Sequence, residues 1–299
     1  QRKISPQDWN SYFTERVSIK PATESDEKPE KTLKIPSRIK QLLIFASRDI
    51  ASKLSNKQYL AINLLEAPLL AIILAFIIRY VPQGSNEYIF RENPNIPAFF
   101  FMAIIVSLFM GLTVSAEEIF KDRKILKRES FLNLSRFSYL VSKMMILFGL
   151  SALQTLMFVL IGDFVLGING MTFSFWLVMF SVSCFANIMG LNISSAFNSA
   201  VTIYILIPLL IIPQLILSGI VVNFDKLHPW LSNSKKVPII GELMASKWGY
   251  EALAVTQFKD NEFEKNFFTY DQTIANSEFK SVYYFSAIEA NLAYVHSNF

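Results

Sequence analysis

Glu66 lies within an apolar stretch, Leu64-Leu65-Glu66-Ala67-Pro68-Leu69, where a carboxylate is out of place unless it has work to do. An ionised side chain deep in a bilayer costs about 2.5–3.5 kcal/mol on insertion scales. Such an acid can carry a proton or hold a cation on a transport path. Glu66 is also near the start of its apolar stretch, where it can reach water or pair with Lys53 or Lys143. Both readings stay open. A second group of chemistry-bearing residues runs from Ser115 to Phe137, SAEEIFKDRKILKRESFLNLSRF. Acids and bases alternate there with Ile119, Ile125 and Leu126, a mixture too charged for lipid and too patterned for a slack loop. It reads either as a docking helix for a soluble partner or as a solvated helix held at the membrane surface by its positive charge.

Other chemistries find no residues to carry them. The chain has no G-x-x-x-x-G-K-[ST] loop to cradle a nucleotide phosphate. It has no H-E-x-x-H, no Cys/His cluster and no G-x-S-x-G. Its single cysteine, Cys184, sits in an apolar run without ligand spacing, and its two histidines, His228 and His296, are far apart. No catalytic residue and no metal site is therefore expected. The net charge of +4 is small and gives no nucleic-acid footprint.

The elements that must position these residues are membrane spans. Of 299 residues 52% are hydrophobic and only 17% charged, against about 25% charged in soluble domains. Between Asp163 and Asp225 no side chain is charged, a length that crosses a bilayer twice at about 20 residues per crossing. The fold class is an all-α polytopic membrane protein with five transmembrane helices. The spans are read at Tyr59 to Tyr80, Ile96 to Ala116, Phe137 to Gly162, Met171 to Leu191 and Ala200 to Val222. Lys143, near the start of the third, is close enough to the span's end that it can snorkel back to the interface.

Residues 1–35 have the Pro, Glu, Lys and Ser bias of a polar linker. Residues 36–56 follow with Ile39, Leu43, Ala46, Ile50 and Leu54 at the spacing of one helix face, which reads as an interfacial amphipathic helix. Basic residues before span one (Lys34, Arg38, Lys40, Arg48, Lys53, Lys57) and between spans two and three (Lys121, Arg123, Lys124, Lys127, Arg128, Arg136) mark the cytoplasmic side. The N-terminus is thus expected in the cytoplasm and residues 223–299 outside, as an extracytoplasmic loop or subdomain. In span five Pro208, Pro213, Gln214 and Ser218-Gly219 suit either a cavity-lining helix or a kinked packing helix.

These residues also carry a resemblance. Arg48-Asp49 in the interfacial helix comes first, then VSAEEIFKDRKILKRES after span two, Gln154 in span three, SGIVVNF closing span five, and KWGYEALAVTQF beyond it. That order, from about Pro36 to Phe258, resembles the membrane domain of ABC-2 type ATP-binding cassette transporters, the G subfamily in particular. The resemblance implies a connecting (elbow) helix at 36–56 and a coupling helix at 117–133 that sits on a nucleotide-binding domain through Glu117, Glu118, Arg123, Lys127, Arg128 and Glu129. It implies a substrate cavity lined by Leu108, Gly111 and Leu112 of span two and by Ile212 and Leu215 of span five, with an exit plug at Ile220 and Val221. It also implies a sixth span beyond Phe299. A nucleotide-binding domain, in the same or a separate chain, would hold ATP and magnesium.

The expected function is an ATP-driven export permease, a homodimer or heterodimer in the plasma or inner membrane, moving an apolar or amphipathic substrate outward. Two alternatives stand beside it. One is a membrane anchor or scaffold whose exterior tail is the working part. The other is an ion-coupled transporter or channel using Glu66.

Overall fold

The structure is a computed structural model, and it describes residues 5–17, 36–81, 88, 90, 93–129, 134–222, 224, 228 and 238–260. The described residues form helices and connecting turns, with no strand among them. The chain divides into residues 1–36 and residues 37–299. In the first unit, helix α1 (Pro6–Arg16) begins with a capping box in which Ser5 and Asp8 bond each other's backbone N–H. A helix therefore stands inside the stretch expected as polar linker. Residues 18–35 lie outside the described residues.

The second unit holds α2 (Arg38–Ser55), α3 (Lys57–Ile78), α4 (Ile96–Ser115), α5 (Glu118–Arg128), α6 (Arg136–Leu166), α7 (Thr172–Ala196), α8 (Ala200–Ile216), α9 (Ile239–Glu242) and α10 (Ala245–Asp260). Among the described residues, four stretches are long and apolar enough to cross a membrane: Lys57–Ile78, Ile96–Arg128, Arg136–Leu166 and Thr172–Ala196. Within the second, Ala116 and Glu117 form a turn that separates the apolar α4 from the charged α5. Phe76, Ile77 and Phe164 are 76%, 72% and 89% exposed on these helices, a surface that lipid covers and water does not. The chain is thus an all-α polytopic membrane protein.

The fifth apolar helix is shorter than expected. α8 has 17 residues, about 26 Å at 1.5 Å per residue, and Leu217 to Val222 leave the helix as turns and bends. Gly219 adopts φ +82°, and a Cβ there would run into the Phe224 ring. The helix runs through Pro208 and Pro213.

α4 is the hub and packs against α3, α6, α7, α8 and α10. Small residues allow its close approach to α7, as membrane helix pairs require. A Cβ on Gly111 would lie 2.6 Å from the Ser183 carbonyl and 2.7 Å from the Ala186 Cβ, and one on Gly190 would overlap Ser115 Oγ. Ala67, Ala71 and Ala75 give α3 a fully buried small-residue stripe, and α3 packs on α6 and α4.

α10, expected in the exterior segment, packs against the apolar helices α4, α7 and α8. Gly249 sits against Ile104 and Val182, near the middles of α4 and α7, and the Tyr250 ring meets Phe101 edge-on. Leu253 and Ala254 are buried there, so the apolar side of this segment finds the core between the spans. α8 and α10 cap each other: Gln214 Oε1 accepts from the Ser246 N–H at 3.1 Å, and the Ser246 hydroxyl donates to the Gln214 carbonyl at 2.6 Å. The aromatic tail, residues 261–299, lies outside the described residues.

Candidate functional site

α2 buries Gln41 and Phe45 and turns Ile39, Leu43, Ile50 and Leu54 outward. The apolar face read from the sequence is the one that faces away from the protein, as an interfacial helix requires. The buried side brings Asp49 and Lys53, four residues apart, onto α5 and α6.

There Lys143 of α6, 4% exposed, contacts three carboxylates: Asp49 Oδ1 at 2.6 Å, Glu118 Oε2 at 2.9 Å and Asp122 Oδ2 at 2.9 Å. Lys53 Nζ lies 3.0 Å from Asp49 and 2.7 Å from Glu118. The Tyr139 hydroxyl donates to Asp122 at 2.9 Å. Glu118 and Asp122 are one helical turn apart on α5 and present both acids to the same lysine. Burial works against ionised Asp49, but the hydrogen bond and charge of Lys143, with Lys53 behind them, hold its carboxyl below the ordinary value. A cavity of about 120 Å³ opens beside the cluster, lined by Arg48, Asp49, Asp122, Tyr139, Ser142 and Lys143 among others.

The ends of α5 are tied as well. Its first N–H groups have no partner within the helix, and Glu117 supplies no side-chain cap. Ser194 of α7 fills that role, its hydroxyl oxygen accepting from Ile119 N–H at 3.0 Å and Phe120 N–H at 2.9 Å. Arg123 donates to the Ser195 carbonyl. At the other end the Arg48 guanidinium meets both Glu129 oxygens at 3.2 Å. Lys121, Lys124, Lys127 and Arg128 are exposed on the outer side. Nothing in this arrangement is a nucleophile with a base. It is a short charged helix tied to α2, α6 and α7 by ion pairs and hydrogen bonds.

The sequence-named coupling residues thus divide. Glu118, Arg123 and Glu129 anchor α5 inward, and Glu117 pairs with Lys121. Lys127 and Arg128 face out. Residues 130–133, the end of the expected coupling helix, lie outside the described residues. Lys143 does not snorkel to water, because three acids hold it inside. Neither Lys53 nor Lys143 pairs with Glu66, which is half-buried on α3 with no ion pair among the described residues.

Of the cavity residues, Leu108 and Leu112 are 1% and 2% exposed, and Gly111 is against α7. They are buried among the described residues of this chain. Ile212 is half exposed and Leu215 partly buried against the core. Ile220 and Val221 lie past the end of α8 rather than on it. Gln214 faces α10, not a cavity. The roles of Asp49, Asp122 and Lys143 were missed in the sequence. The available signal was an acid pair one turn apart on α5 and a lone lysine inside the third apolar run.

No curated protein matches the chain. The family model for ABC-2 type transporters matches residues 40–258, from the start of α2 into α10. That stretch contains the whole charge cluster and every span described above. The chain therefore belongs to the ABC-2 type transporter family and is a multi-pass membrane protein of transport.

Proposed function

We propose that this chain is the permease part of an ATP-driven exporter and that α5 is its coupling helix. The observation that carries this reading is the two-sided character of α5. One side is fixed by Lys143, Ser194 and Arg48 to the membrane helices. The other presents Lys121, Lys124, Lys127 and Arg128 to whatever docks there. A nucleotide-binding domain is the partner that family membership favours, and ATP and magnesium belong to that domain. ATP-driven movement of the domain displaces α5, and the Lys143 cluster carries the displacement to α2 and α6 together.

Two copies of the chain enclose the substrate path. The exposed stripe of α4, Met102 and Phe109 (each 40% exposed), and that of α8, Leu209, Ile212 and Ile216, line it. Leu108, Gly111 and Leu112 act from behind, setting the α4–α7 contact on which the lining helix rests. An apolar lining suits an apolar or amphipathic substrate. Ile220 and Val221, at the turn after α8, form the exit gate.

The side of the membrane on which α5 lies tests the proposal. In a Cys184→Ser background, Lys124→Cys should react with an impermeant thiol reagent only from the side where ATP is supplied. Reaction from the opposite side would remove the motor's point of attachment. A second reading, ion-coupled transport through Glu66, has one observation in its favour: the carboxylate has no ion pair among the described residues. Transport that needs an ion gradient but no ATP, and fails in Glu66→Gln, would select it.

A further inference from the structure

We propose that the first turns of α2 and α6 together form a binding surface for anionic phospholipid headgroups. Two bonds hold these turns side by side. The Ser138 hydroxyl donates to the Arg38 carbonyl at 2.9 Å, and the Ser135 N–H donates to Gln41 Oε1 at 2.8 Å. The juxtaposition gathers three exposed cations, Arg38, Lys40 and Arg136. None of the three makes an ion pair among the described residues.

The same surface is apolar between its charges. Ile39 is 74% exposed, Phe137 69%, Leu43 60% and Leu140 41%. Large side chains so exposed among cations do not suit a water-facing patch. They suit a bilayer surface, with the side chains among acyl chains and the cations at the phosphates.

The connections place the patch at that surface. α2 ends at Ser55 and the membrane-spanning α3 starts at Lys57, with only Asn56 between them. α6 itself enters the membrane as a 31-residue helix. Both elements are therefore tied to the same bilayer face. A neutral zwitterionic headgroup leaves three cations without a net counter-charge, whereas an anionic one supplies it. Each such cation near an anionic surface contributes about 1 kcal/mol, roughly a fivefold preference.

The test uses the full chain, purified and placed in nanodiscs of phosphatidylcholine with or without phosphatidylglycerol. Lipid retained after extraction into detergent is read by native mass spectrometry. The wild-type chain should retain phosphatidylglycerol over phosphatidylcholine, with the preference weakening as salt is raised. Each of Arg38→Ala, Lys40→Ala and Arg136→Ala should lower the preference roughly fivefold, while Lys124→Ala on α5 should leave it unchanged. A wild-type chain without preference would overturn the proposal even if every variant misfolded. An equal loss in Lys124→Ala would overturn it too, because the attraction would then be that of diffuse charge and not of this patch.

Discussion

Lys143 on α6 and Glu118 on α5 meet at 2.9 Å in a site where the lysine is almost wholly buried. Their contact joins a membrane helix to the charged helix that follows α4. It makes α5 part of the membrane assembly and not a tethered loop.

Removing the buried ammonium leaves Asp49, Glu118 and Asp122 facing one another with Lys53 alone to neutralise them. Breaking such a pair typically costs about 3–5 kcal/mol. Lys143→Met should therefore lower the thermal unfolding midpoint in detergent strongly. Adding Glu118→Gln should recover part of the loss, since the two changes share one interaction. Additive losses would mean the two residues do not act as a pair.

Asp49 gives a pH dependence of known sign. Its folded carboxyl ionises below the ordinary value of 3.8 because Lys143 and Lys53 outweigh burial. The stabilisation from its ionised form is therefore present above that ordinary value and is lost as pH falls through the lower folded one. Unfolding midpoints measured down this acid range should fall less steeply in Asp49→Asn than in wild type. Parallel curves would show that Asp49 is not the titrating group.

The α4–α7 contact has no room for another methyl group. Gly190→Ala should destabilise by about 1–3 kcal/mol through overpacking. Ser115→Ala in the same chain should relieve only part of this, because the Leu112 carbonyl remains 3.1 Å from the new Cβ. Thermal unfolding of the single and double variants checks both statements.

The reciprocal cap between Gln214 and Ser246 fixes α10 against α8. Ser246→Ala leaves the buried Gln214 carbonyl short of its donor, at a cost of about 1–3 kcal/mol. Amide hydrogen exchange should quicken in residues 245–257 while α4 and α7 keep their protection. Uniform quickening would mean that α10 is not a separately held element.

Much of this fold is legible from apolar run length alone, because a span must be continuous and a bilayer has a fixed thickness. The outward stripe of α2 was legible for a similar reason: Ile39, Leu43, Ile50 and Leu54 keep one helical period. The end of α8 was not. Leu217 and Ile220 to Val222 are apolar enough to continue a span, and the helix stops where Gly219 turns against Phe224. α10 was expected outside because it follows the fifth span in the chain. That Gly249 and Leu253 pack against the middles of other helices depends on how the chain folds back, which the order of spans does not state. The partners of Lys53 and Lys143 depend on how α2, α5 and α6 cross, which no linear spacing states. For the same reason the burial of Leu108 and Leu112, which the resemblance implies to be lining, could not be read from their spacing.

The most direct test of α5 as the coupling element is a paired measurement on Arg128→Ala/Glu129→Ala protein assembled with its nucleotide-binding domain in proteoliposomes. These changes remove an outward cation and the tie to Arg48 while leaving the Lys143 cluster whole. ATP hydrolysis should stay near the wild-type rate while transport is largely lost. Wild-type transport by the same variant would contradict the assignment of α5 as the helix through which the motor acts.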